Sequence, residues 1–326
     1  MSIISNSTAA ATKEAATSLI NGNLVAFPTE TVYGLGADAT NKDAVARIYE
    51  VKGRPSDHPI IVHISSIELL DKWARDIPEY AIKLARAFWP GPMTLILPRT
   101  NLAKDFITGS QNNVGIRVPE HIVALALLKE FESLGGLGIA APSANRFGKV
   151  SPTTSEAVID ELGNYLSSND QILDGGTCHI GIESTIIDCT QDVPVILRPG
   201  YITSEMIENL LLVNMRQIEL TDYDLIAPGL LKAHYSPNAQ VILNSVPAPG
   251  DGFIALSNVP TPNGVIRLSS PKNNYEYART LYAALRLADS KGLKTIKVIA
   301  PNEIGIGTGI NDRLLKSAYL KEFYSD

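Results

Sequence analysis

Hydrophobic positions along the chain follow two different spacings. Between residues 44 and 51 they recur with a period of about 3.6, which predicts a helix over residues 41–51 with Asn41 as its N-cap. Short β-branched runs such as residues 59–64 predict strands. Similar patterns predict helices at 8–21, 66–75, 78–89, 121–134, 155–162 and 204–212, and strands at 24–27, 93–97, 114–118, 138–141, 182–189 and 193–197. This mixture predicts an α/β layer fold with a mixed sheet, although strand order does not follow from the pattern.

A break in the pattern divides the chain. Residues 227–237 (APGLLKAHYSP) are bounded by turn and breaker residues. After them the alternation restarts, with strands predicted at 241–243, 252–256, 265–268 and 295–299 and helices at 275–290 and 312–320. We therefore predict a first domain over residues 1–222, a linker over 223–240 and a smaller α/β domain over 241–326.

The composition is that of a folded protein. Across 326 residues there are 28 Lys and Arg and 34 Asp and Glu, so the formal net charge is −6 with neutral histidines. A mildly acidic chain is not a dedicated nucleic-acid coat, although a local basic pocket is compatible with it. The longest strongly apolar run, residues 122–128, is far shorter than the ~20 residues that span a bilayer. The start of the chain also lacks the features of a signal peptide, so we expect a soluble cytoplasmic protein without membrane partners.

The chain has two cysteines, Cys178 and Cys189. They form neither a disulfide framework nor a metal-type pair, which favours a reducing compartment. We expect both to be buried as small hydrophobic residues.

Four cationic side chains lie at positions where an anion could bind. Lys52 and Arg54 flank Gly53 after a predicted helix, and such a pair suits a polyphosphate. A solvated helix end explains them equally well. Arg117 and Arg198 lie at the ends of apolar strands, where a partly buried guanidinium needs an anionic partner from a ligand or from the protein.

Small polar residues form a second group of candidates. Residues 140–145 (AAPSAN) and 151–154 (SPTT) could donate hydrogen bonds to phosphate or base, or could serve only as turns and helix caps. His63 lies in a β-branched run and Glu183 opens another, which also fits a core histidine and a strand edge. Residues 305–309 (GIGTG) before a helix could hold an anion, although a tight turn explains them as well.

Taken together, the motifs occur in a specific order. They are residues 27–36 (FPTETVYGLG), 52–55 (KGRP), 59–64 (PIIVHI), 89–94 (WPGPMT), 114–119 (VGIRVP), 141–145 (APSAN) and 183–188 (ESTIID). In this order they resemble the YrdC-like threonylcarbamoyl-AMP synthases. The linker and the second domain, including residues 311–314 (NDRL), resemble the long two-domain form of that family.

The resemblance implies an activity and a fold. Such an enzyme is an L-threonylcarbamoyladenylate synthase, a nucleotidyltransferase that condenses L-threonine, bicarbonate or CO₂, and ATP into threonylcarbamoyl-AMP and pyrophosphate. The implied fold is a YrdC-like open twisted mixed sheet with a concave pocket, followed by a Rossmann-like C-terminal domain. We expect Mg²⁺ to be held by ATP and water, without a metal site on the protein. The implied partner is a tRNA threonylcarbamoyl transferase acting downstream, and a weak RNA contact is compatible with this role.

The resemblance also assigns site residues. The L-threonine site falls on Thr31, His63, Arg117, Ala141 and Ser184. The ATP site falls on Lys52, Arg54, His58, Asn113, Ser143, Asn145, Ser151 and Arg198. Lys52 and Arg54 would stabilise charge, with no general base assigned, and His234 and Tyr235 would belong to a lid. The sequence departs from the family at His58 and Asn113, where Asn and Thr are common, and in its LKAHY linker motif.

Two other classes of function stay open at this point. One is a double-stranded RNA-binding protein, which would show RNA affinity without ATP turnover. The other is a carbamoyl-transfer domain like those of hydrogenase-maturation proteins. That class is expected to carry zinc-type cysteines and an acylphosphatase-like segment, and neither is present in this sequence.

Overall fold

The computed structural model describes residues 3–6, 8–213, 229 and 234–319. The predicted linker over 223–240 therefore lies partly outside the described residues, with Gly229 and residues 234–240 inside them. Residue 320, the end of the last predicted helix, also lies outside.

The first domain alternates strands and helices. Its strands are β1 (Ile3–Asn6), β2 (Val25–Phe27), β3 (Gly34–Asp38), β4 (Val62–His63), β5 (Met93–Pro98), β6 (Asn113–Arg117), β7 (Ile139–Ala140), β8 (Gln171–Asp174), β9 (Thr185–Asp188) and β10 (Val195–Arg198). Its helices are α1 (Ala9–Ile20), α2 (Lys42–Lys52), α3 (Leu70–Trp73), α4 (Glu79–Phe88), α5 (Asp105–Thr108), α6 (Ile122–Ser133), α7 (Ser155–Leu162) and α8 (Ser204–Leu211).

The strands of this domain form a single mixed sheet, which confirms the predicted fold class. The strand order is β1-β8-β2-β3-β7-β4-β6-β5-β9-β10. The pairs β1–β8, β2–β8, β4–β6 and β5–β9 are parallel, and the other pairs are antiparallel. The sheet therefore brings together strands that lie far apart in the sequence.

Both faces of this sheet are covered by helices. On β2, Val25 and Phe27 pack with residues of α1 and α6, whereas Ala26 packs on the opposite face with residues of α2. This alternation is the period of two that a strand imposes on its side chains. Cys178 and Cys189 are both buried and unpaired by disulfide, as predicted.

Local sequence explains where the helices begin and end. The Asn41 side chain accepts hydrogen bonds from the backbone N–H groups of Asp43 and Ala44 and caps α2, as predicted. Gly53 ends this helix with a φ of +59°, a conformation that favours glycine. The His121 side chain caps α6 in the same way by accepting from the N–H of Val123.

The hydrophobic pattern did not predict β1, β3, β8 or α5. Strand β3 contains Gly34 and Gly36, and glycine is depleted in strands. A Cβ at Gly36 would lie 2.7 Å from Cγ2 of Ile139 and 2.8 Å from Cε1 of Phe27. The close packing of β3 against its neighbours therefore requires glycine, at the expense of the strand signal in the sequence.

The second domain is smaller and has a parallel sheet. It contains β11 (Gln240–Leu243), β12 (Gly252–Ile254), β13 (Ile266–Ser269), β14 (Thr295–Val298), α9 (Asn274–Ser290) and α10 (Ile306–Ala318). The strand order is β11-β14-β12-β13, and all pairs are parallel. This agrees with the predicted smaller α/β domain.

Helix α10 begins six residues before the predicted start, since residues 305–309 form its first turns rather than a free loop. A Cβ at Gly309 would lie 3.0 Å from Cα of Gly200 in the first domain. The glycine is therefore explained by close packing between the two domains.

We also asked whether any part of the chain could cross a bilayer. None of the helices among the described residues has the length and apolar character that a membrane span requires.

Candidate active site

A cavity in the first domain collects most of the candidate residues. It includes space that is open to solvent, and about 590 Å³ within it is not filled by protein atoms. The cavity is lined by Thr29, Thr31, Val32, Gly34, Arg54, Ile61, His63, Arg117, Ala141, Pro142, Ser143, Glu183, Ser184, Arg198, Gly229, His234 and Tyr235. Cations, hydroxyls and apolar side chains therefore converge on one space.

The sheet places three of these residues side by side. Strands β4 and β6 are parallel neighbours, and His63 lies directly opposite Arg117 in their register. On the other side of β4, Ala140 of the antiparallel strand β7 pairs with Val62, and the N–H of Ala141 donates to the carbonyl oxygen of Ile61. This explains how motifs that are distant in sequence form one wall of the cavity.

Arg117 is held by a carboxylate of the protein. Its Nη2 lies 2.6 Å from Oε1 of Glu30, and its Nε donates to the carbonyl oxygen of Gly91. Both charged side chains are buried. Among the described residues, Oε2 of Glu30 has no hydrogen-bond partner. Arg117 therefore enters the cavity as part of a buried ion pair, and the sequence did not predict Glu30 as its partner.

The loop before β3 adds two hydroxyls. Oγ1 of Thr29 lies 2.8 Å from Oγ1 of Thr31 and 2.7 Å from the carbonyl oxygen of Val32. Thr29 and Thr31 are both fully buried in the wall. Thr31 was predicted at this site, whereas Thr29 was not.

Arg198 and Ser184 form another part of the wall. Nε and Nη2 of Arg198 donate to the carbonyl oxygen of Ser184 at 3.1 and 2.9 Å, and Nη2 also donates to Ser184 Oγ at 3.2 Å. Oγ1 of Thr94, a buried residue that was not predicted, lies 2.8 Å from Ser184 Oγ. The guanidinium and the hydroxyl are thereby fixed relative to each other.

Arg54 supplies a third guanidinium to the lining. Its Nη2 donates to the carbonyl oxygen of Pro59 at 2.9 Å, while its Nε has no hydrogen-bond partner among the described residues. Burial lowers the pKa of Arg54 to about 10, so the side chain is a cation at neutral pH. A buried cation with an unused donor is suited to an anionic ligand.

Lys52 is buried behind the wall rather than in it. Its Nζ donates to the carbonyl oxygens of Ser143 and Asn145 at 2.6 and 2.5 Å. Burial and the charge of Arg54 lower the pKa of Lys52. In this structure the lysine holds the loop that carries Ser143 into the cavity.

Two further predicted nucleotide residues also lie behind the wall. The Asn145 side chain donates to the backbone carbonyls of the loop that follows it, at Arg146 and Lys149. Oγ of Ser151 donates to Oε1 of Glu183 at 2.5 Å. Ser151 thus contacts a residue that lines the cavity, whereas the Asn145 side chain fixes the loop that follows it.

His58 and Asn113 do not line the cavity. His58 is half-buried, and its ring packs edge-on against Phe147 at a centroid distance of 5.5 Å. Asn113 opens β6 and is paired with Pro98 of β5. Their assignment to ATP stays a prediction.

Of the described residues that line this cavity, Glu183 alone carries a carboxylate. Its Oε2 accepts from the Tyr282 hydroxyl at 2.8 Å and from Nε of Arg313 at 2.9 Å, both from the second domain. Burial would raise the pKa of Glu183, but the charges of Arg313 and Arg198 outweigh this effect and lower it to about 2. The sequence showed Glu183 as a polar residue before a strand, without its distant partners.

His234 and Tyr235 reach the cavity from the linker. The Tyr235 ring stacks on Tyr282 at a centroid distance of 5.7 Å, and its carbonyl oxygen accepts from the Ser317 hydroxyl of α10 at 2.9 Å. Its φ of +58° is unusual for a residue with a side chain. Such strain is typical of functional segments that are fixed by their surroundings.

Several buried polar atoms around the cavity lack protein partners. Within the described part of the chain, Nδ1 of His63, Nδ1 of His234 and the Tyr235 hydroxyl have no hydrogen-bond partner. Burial, with a contribution from the charge of Arg117, lowers the pKa of His63 to about 3. Burial also lowers the pKa of His234 to about 3. Both imidazoles are therefore neutral at physiological pH and are able to hydrogen-bond a ligand.

No metal site is built into the part of the chain that the structure describes. Three or more His, Cys, Asp or Glu residues do not come together there in a metal-binding arrangement. Both oxygens of Glu183 are engaged by protein hydrogen bonds. The described residues at the cavity are therefore suited to a divalent cation only when the cation arrives bound to a ligand.

Comparisons with known proteins cover both domains. The Sua5/YciO/YrdC family model, described as telomere recombination, matches residues 17–200. The model of the threonylcarbamoyl-AMP synthase C-terminal domain matches residues 202–319. A threonylcarbamoyl-AMP synthase of Pyrococcus abyssi is 40% identical over 321 residues, covering 91% of each chain. One of Bacillus subtilis is 40% identical over 325 residues, covering 94% of this chain and 92% of the relative.

Solved structures agree with these matches. The crystal structure of P. abyssi Sua5 complexed with L-threonine has a TM-score of 0.85 and 38% identity, covering 95% of each chain. Escherichia coli YciO, at 24% identity and a TM-score of 0.52, shares only the fold of the first domain. The chain therefore belongs to the Sua5/YrdC family of threonylcarbamoyl-AMP synthases, in its two-domain form.

Proposed function

We propose that this protein is an L-threonylcarbamoyladenylate synthase. It condenses L-threonine, bicarbonate or CO₂, and ATP into threonylcarbamoyl-AMP and pyrophosphate. The observation that carries the proposal is the convergence of three guanidinium groups, from Arg54, Arg117 and Arg198, on one cavity. Family membership then favours the synthase over an RNA-binding protein or a carbamoyl-transfer domain.

The amino acid would bind at the wall formed by β4, β6 and β7. All five residues assigned to L-threonine line the cavity, namely Thr31, His63, Arg117, Ala141 and Ser184. Arg117 would bind the substrate carboxylate through charge-assisted hydrogen bonds. His63, being neutral, would add a hydrogen bond without a charge.

ATP would bind along Arg54, Ser143 and Arg198, which line the same cavity. Lys52, Asn145 and Ser151 would support this site from behind, and Lys52 would contribute positive potential and hold the Ser143 loop. We keep Lys52 and Arg54 as the charge-stabilising pair, with Arg54 in contact with the phosphates. The backing residues are thus proposed to position the nucleotide site.

The chemistry consists of carboxylation followed by displacement. The amine of L-threonine forms a C–N bond to the carbon of bicarbonate with loss of water, or to CO₂ with loss of an amine proton, and either route gives a carbamate. An oxygen of this carbamate attacks the α-phosphorus of ATP. The bond from the α-phosphorus to the bridging oxygen breaks, and pyrophosphate leaves with its electron pair. The protein supplies positioning and charge stabilisation. Mg²⁺ would arrive with ATP and offset phosphate charge, since Glu183, the carboxylate in the described part of the cavity lining, is engaged by hydrogen bonds from the protein.

The linker would act as a lid. His234 and Tyr235 lie buried at the cavity, and the second domain holds Tyr235 from behind. A closed lid excludes water and protects a labile adenylate from hydrolysis. We therefore propose residues 1–222 as the catalytic domain, 223–240 as the lid and 241–326 as the domain that anchors it.

The product would be consumed elsewhere. We propose that a separate transferase moves the threonylcarbamoyl group to tRNA, with at most a weak RNA contact by this protein. We propose a cytoplasmic location, in keeping with a role in tRNA modification.

Pyrophosphate release from ATP, measured with each amino acid in turn, tests this function. Release is expected with L-threonine and bicarbonate together and only at background level when either is omitted. Equal release without L-threonine would refute the assignment.

A further inference from the structure

The Thr29 hydroxyl in the cavity wall donates its hydrogen to a neighbouring carbonyl oxygen. Oγ1 of Thr29 lies 2.7 Å from the carbonyl oxygen of Val32 and 2.8 Å from Oγ1 of Thr31. Both distances are typical of O–H···O hydrogen bonds. The backbone N–H groups of Thr31 and Val32 each lie 3.2 Å from the same Oγ1 atom and donate to it.

Counting hydrogens fixes the direction of these bonds. A carbonyl oxygen only accepts, so the single hydrogen of the Thr29 hydroxyl goes to Val32. Thr29 Oγ1 has two lone pairs, and if the two longer backbone N–H contacts share one of them, the other accepts the hydrogen of Thr31 in the 2.8 Å contact between the hydroxyls. Thr31 therefore donates to Thr29, and only its lone pairs remain for a ligand.

The other hydroxyl pair at the cavity is not fixed in this way. Thr94 and Ser184 also have Oγ atoms 2.8 Å apart, and Nη2 of Arg198 donates to Ser184. Among the described residues, no carbonyl oxygen determines which of these two hydroxyls is the donor. Of these two hydroxyl pairs, the Thr29–Thr31 pair is the one in which the direction of the hydrogen bond is fixed.

We infer that Thr29 is a positioning residue that makes the Thr31 hydroxyl a hydrogen-bond acceptor toward the amino-acid substrate. This inference rests on the proposed function. An acceptor at Thr31 suits an N–H or O–H group of L-threonine, its amine or its β-hydroxyl, and disfavours carboxylate and phosphate. Arg117 offers only donors on the same wall. The substrate therefore lies with its carboxylate at Arg117 and a donor group at Thr31.

Two matched variants of the full chain test this arrangement. Thr29→Val keeps the shape of the side chain but removes the acceptor of Thr31, whereas Thr29→Ser restores a hydroxyl. In calorimetry, Thr29→Val is expected to weaken L-threonine binding about tenfold, the effect of one hydrogen bond, with ATP affinity within about threefold of wild type. Thr29→Ser is expected to recover L-threonine affinity. Wild-type affinity in Thr29→Val, or equal loss in both variants, would overturn the inference.

L-Valine, which lacks the hydroxyl, distinguishes the two donor groups. If the amine donates to Thr31, Thr29→Val weakens L-valine binding by the same factor as L-threonine binding. If the β-hydroxyl donates, the variant leaves L-valine affinity unchanged. Either result supports an acceptor at Thr31 when L-threonine binding has fallen.

Neutron diffraction of the wild-type protein soaked in D₂O with L-threonine provides a test that does not depend on a variant folding. The deuterium on Thr31 Oγ1 is expected to point at Thr29. A deuterium directed at the ligand would overturn the inference. If the wild-type protein fails to bind L-threonine, the proposed function fails, while the map still decides the direction of the hydroxyl.

Discussion

Arg117 is paired with a buried carboxylate of the protein, so its replacement has two separate effects. Arg117→Ala leaves Glu30 buried without its partner, and we expect the free energy of unfolding to fall by about 3–5 kcal/mol. The same change should weaken L-threonine binding by about 2–5 kcal/mol, with a much smaller effect on ATP. Denaturant unfolding and calorimetry measure the two effects independently.

The double variant Arg117→Met/Glu30→Gln separates these effects. Because it removes both charges, most of the stability should return, whereas L-threonine affinity should stay low. Recovery of L-threonine binding in the double variant, or equal losses for both ligands in Arg117→Ala, would show that Arg117 does not bind the substrate carboxylate.

His63 and His234 should make the protein less stable in mild acid. Their folded-state pKa values are about 3, below the ordinary value near 6.5, so the unfolded state binds more protons as pH falls. Stability is therefore complete above about pH 6.5 and decreases between pH 6.5 and about 3, by up to about 1.4 kcal/mol per pH unit for each histidine. Glu183, with a pKa of about 2, adds a loss only below about pH 4.5.

Urea unfolding between pH 7 and 5 measures this slope above the range of Glu183. His63→Gln should reduce the slope by about 1.4 kcal/mol per pH unit near pH 5. His179→Gln, the same substitution at an exposed position, is the control. An unchanged slope in His63→Gln would mean that His63 is not buried in its neutral form.

Individual residues show how far a sequence can be interpreted. Arg117 and Arg198 could be predicted because a cation at the end of an apolar strand needs an anion, and Arg54 because it forms a cationic pair with Lys52 after a helix. Glu30 could not be identified as a partner, because its pairing with Arg117 depends on a loop meeting β6 in space. Tyr282 and Arg313, the second-domain partners of Glu183, could not be identified either, because they meet Glu183 only in the folded structure.

The segment that carries His234 and Tyr235 should respond to ligands. Trypsin has a cleavage site after Lys232, and we expect ATP with L-threonine to slow cleavage there, because a closed lid restricts access. The variant His234→Ala/Tyr235→Ala should lose this protection and most adenylate synthesis. A control, His179→Ala/Tyr319→Ala, replaces the same residue types at exposed positions.

If the segment is a lid, the His234→Ala/Tyr235→Ala variant must lose the protection against trypsin and the synthesis of the adenylate together. If ligands give no protection and the His234→Ala/Tyr235→Ala variant keeps full synthesis, the segment is only a tether between the domains.

Strands and helices were predictable where periodicity alone determines them. Helix α2 has its predicted cap and glycine stop. Strand β3 and the first turns of α10 were missed because their glycines serve close packing, against Ile139 and against Gly200 respectively. Such packing is a tertiary requirement that overrides local propensity.

The first sheet ends with β10 at Arg198 and the second begins with β11 at Gln240, while the linker over residues 223–240 stays a prediction. The order of the ten strands could not be predicted, since neighbours such as β4 and β7 are paired across long stretches of sequence. The cavity depends on this order, because His63, Arg117 and Ala141 meet only through it. The chemistry of the site was therefore predictable, but its geometry was not.

The most direct measurement follows the atoms of all three substrates into one product. The full chain is incubated with ATP, ¹³C-bicarbonate and ¹⁵N-labelled L-threonine, and the adenylates are analysed by mass spectrometry. The proposed synthase predicts a single adenylate that carries both labels, formed in equal amount with pyrophosphate and absent when L-threonine is omitted. An adenylate without the ¹³C label, or pyrophosphate formed equally without L-threonine, would contradict it.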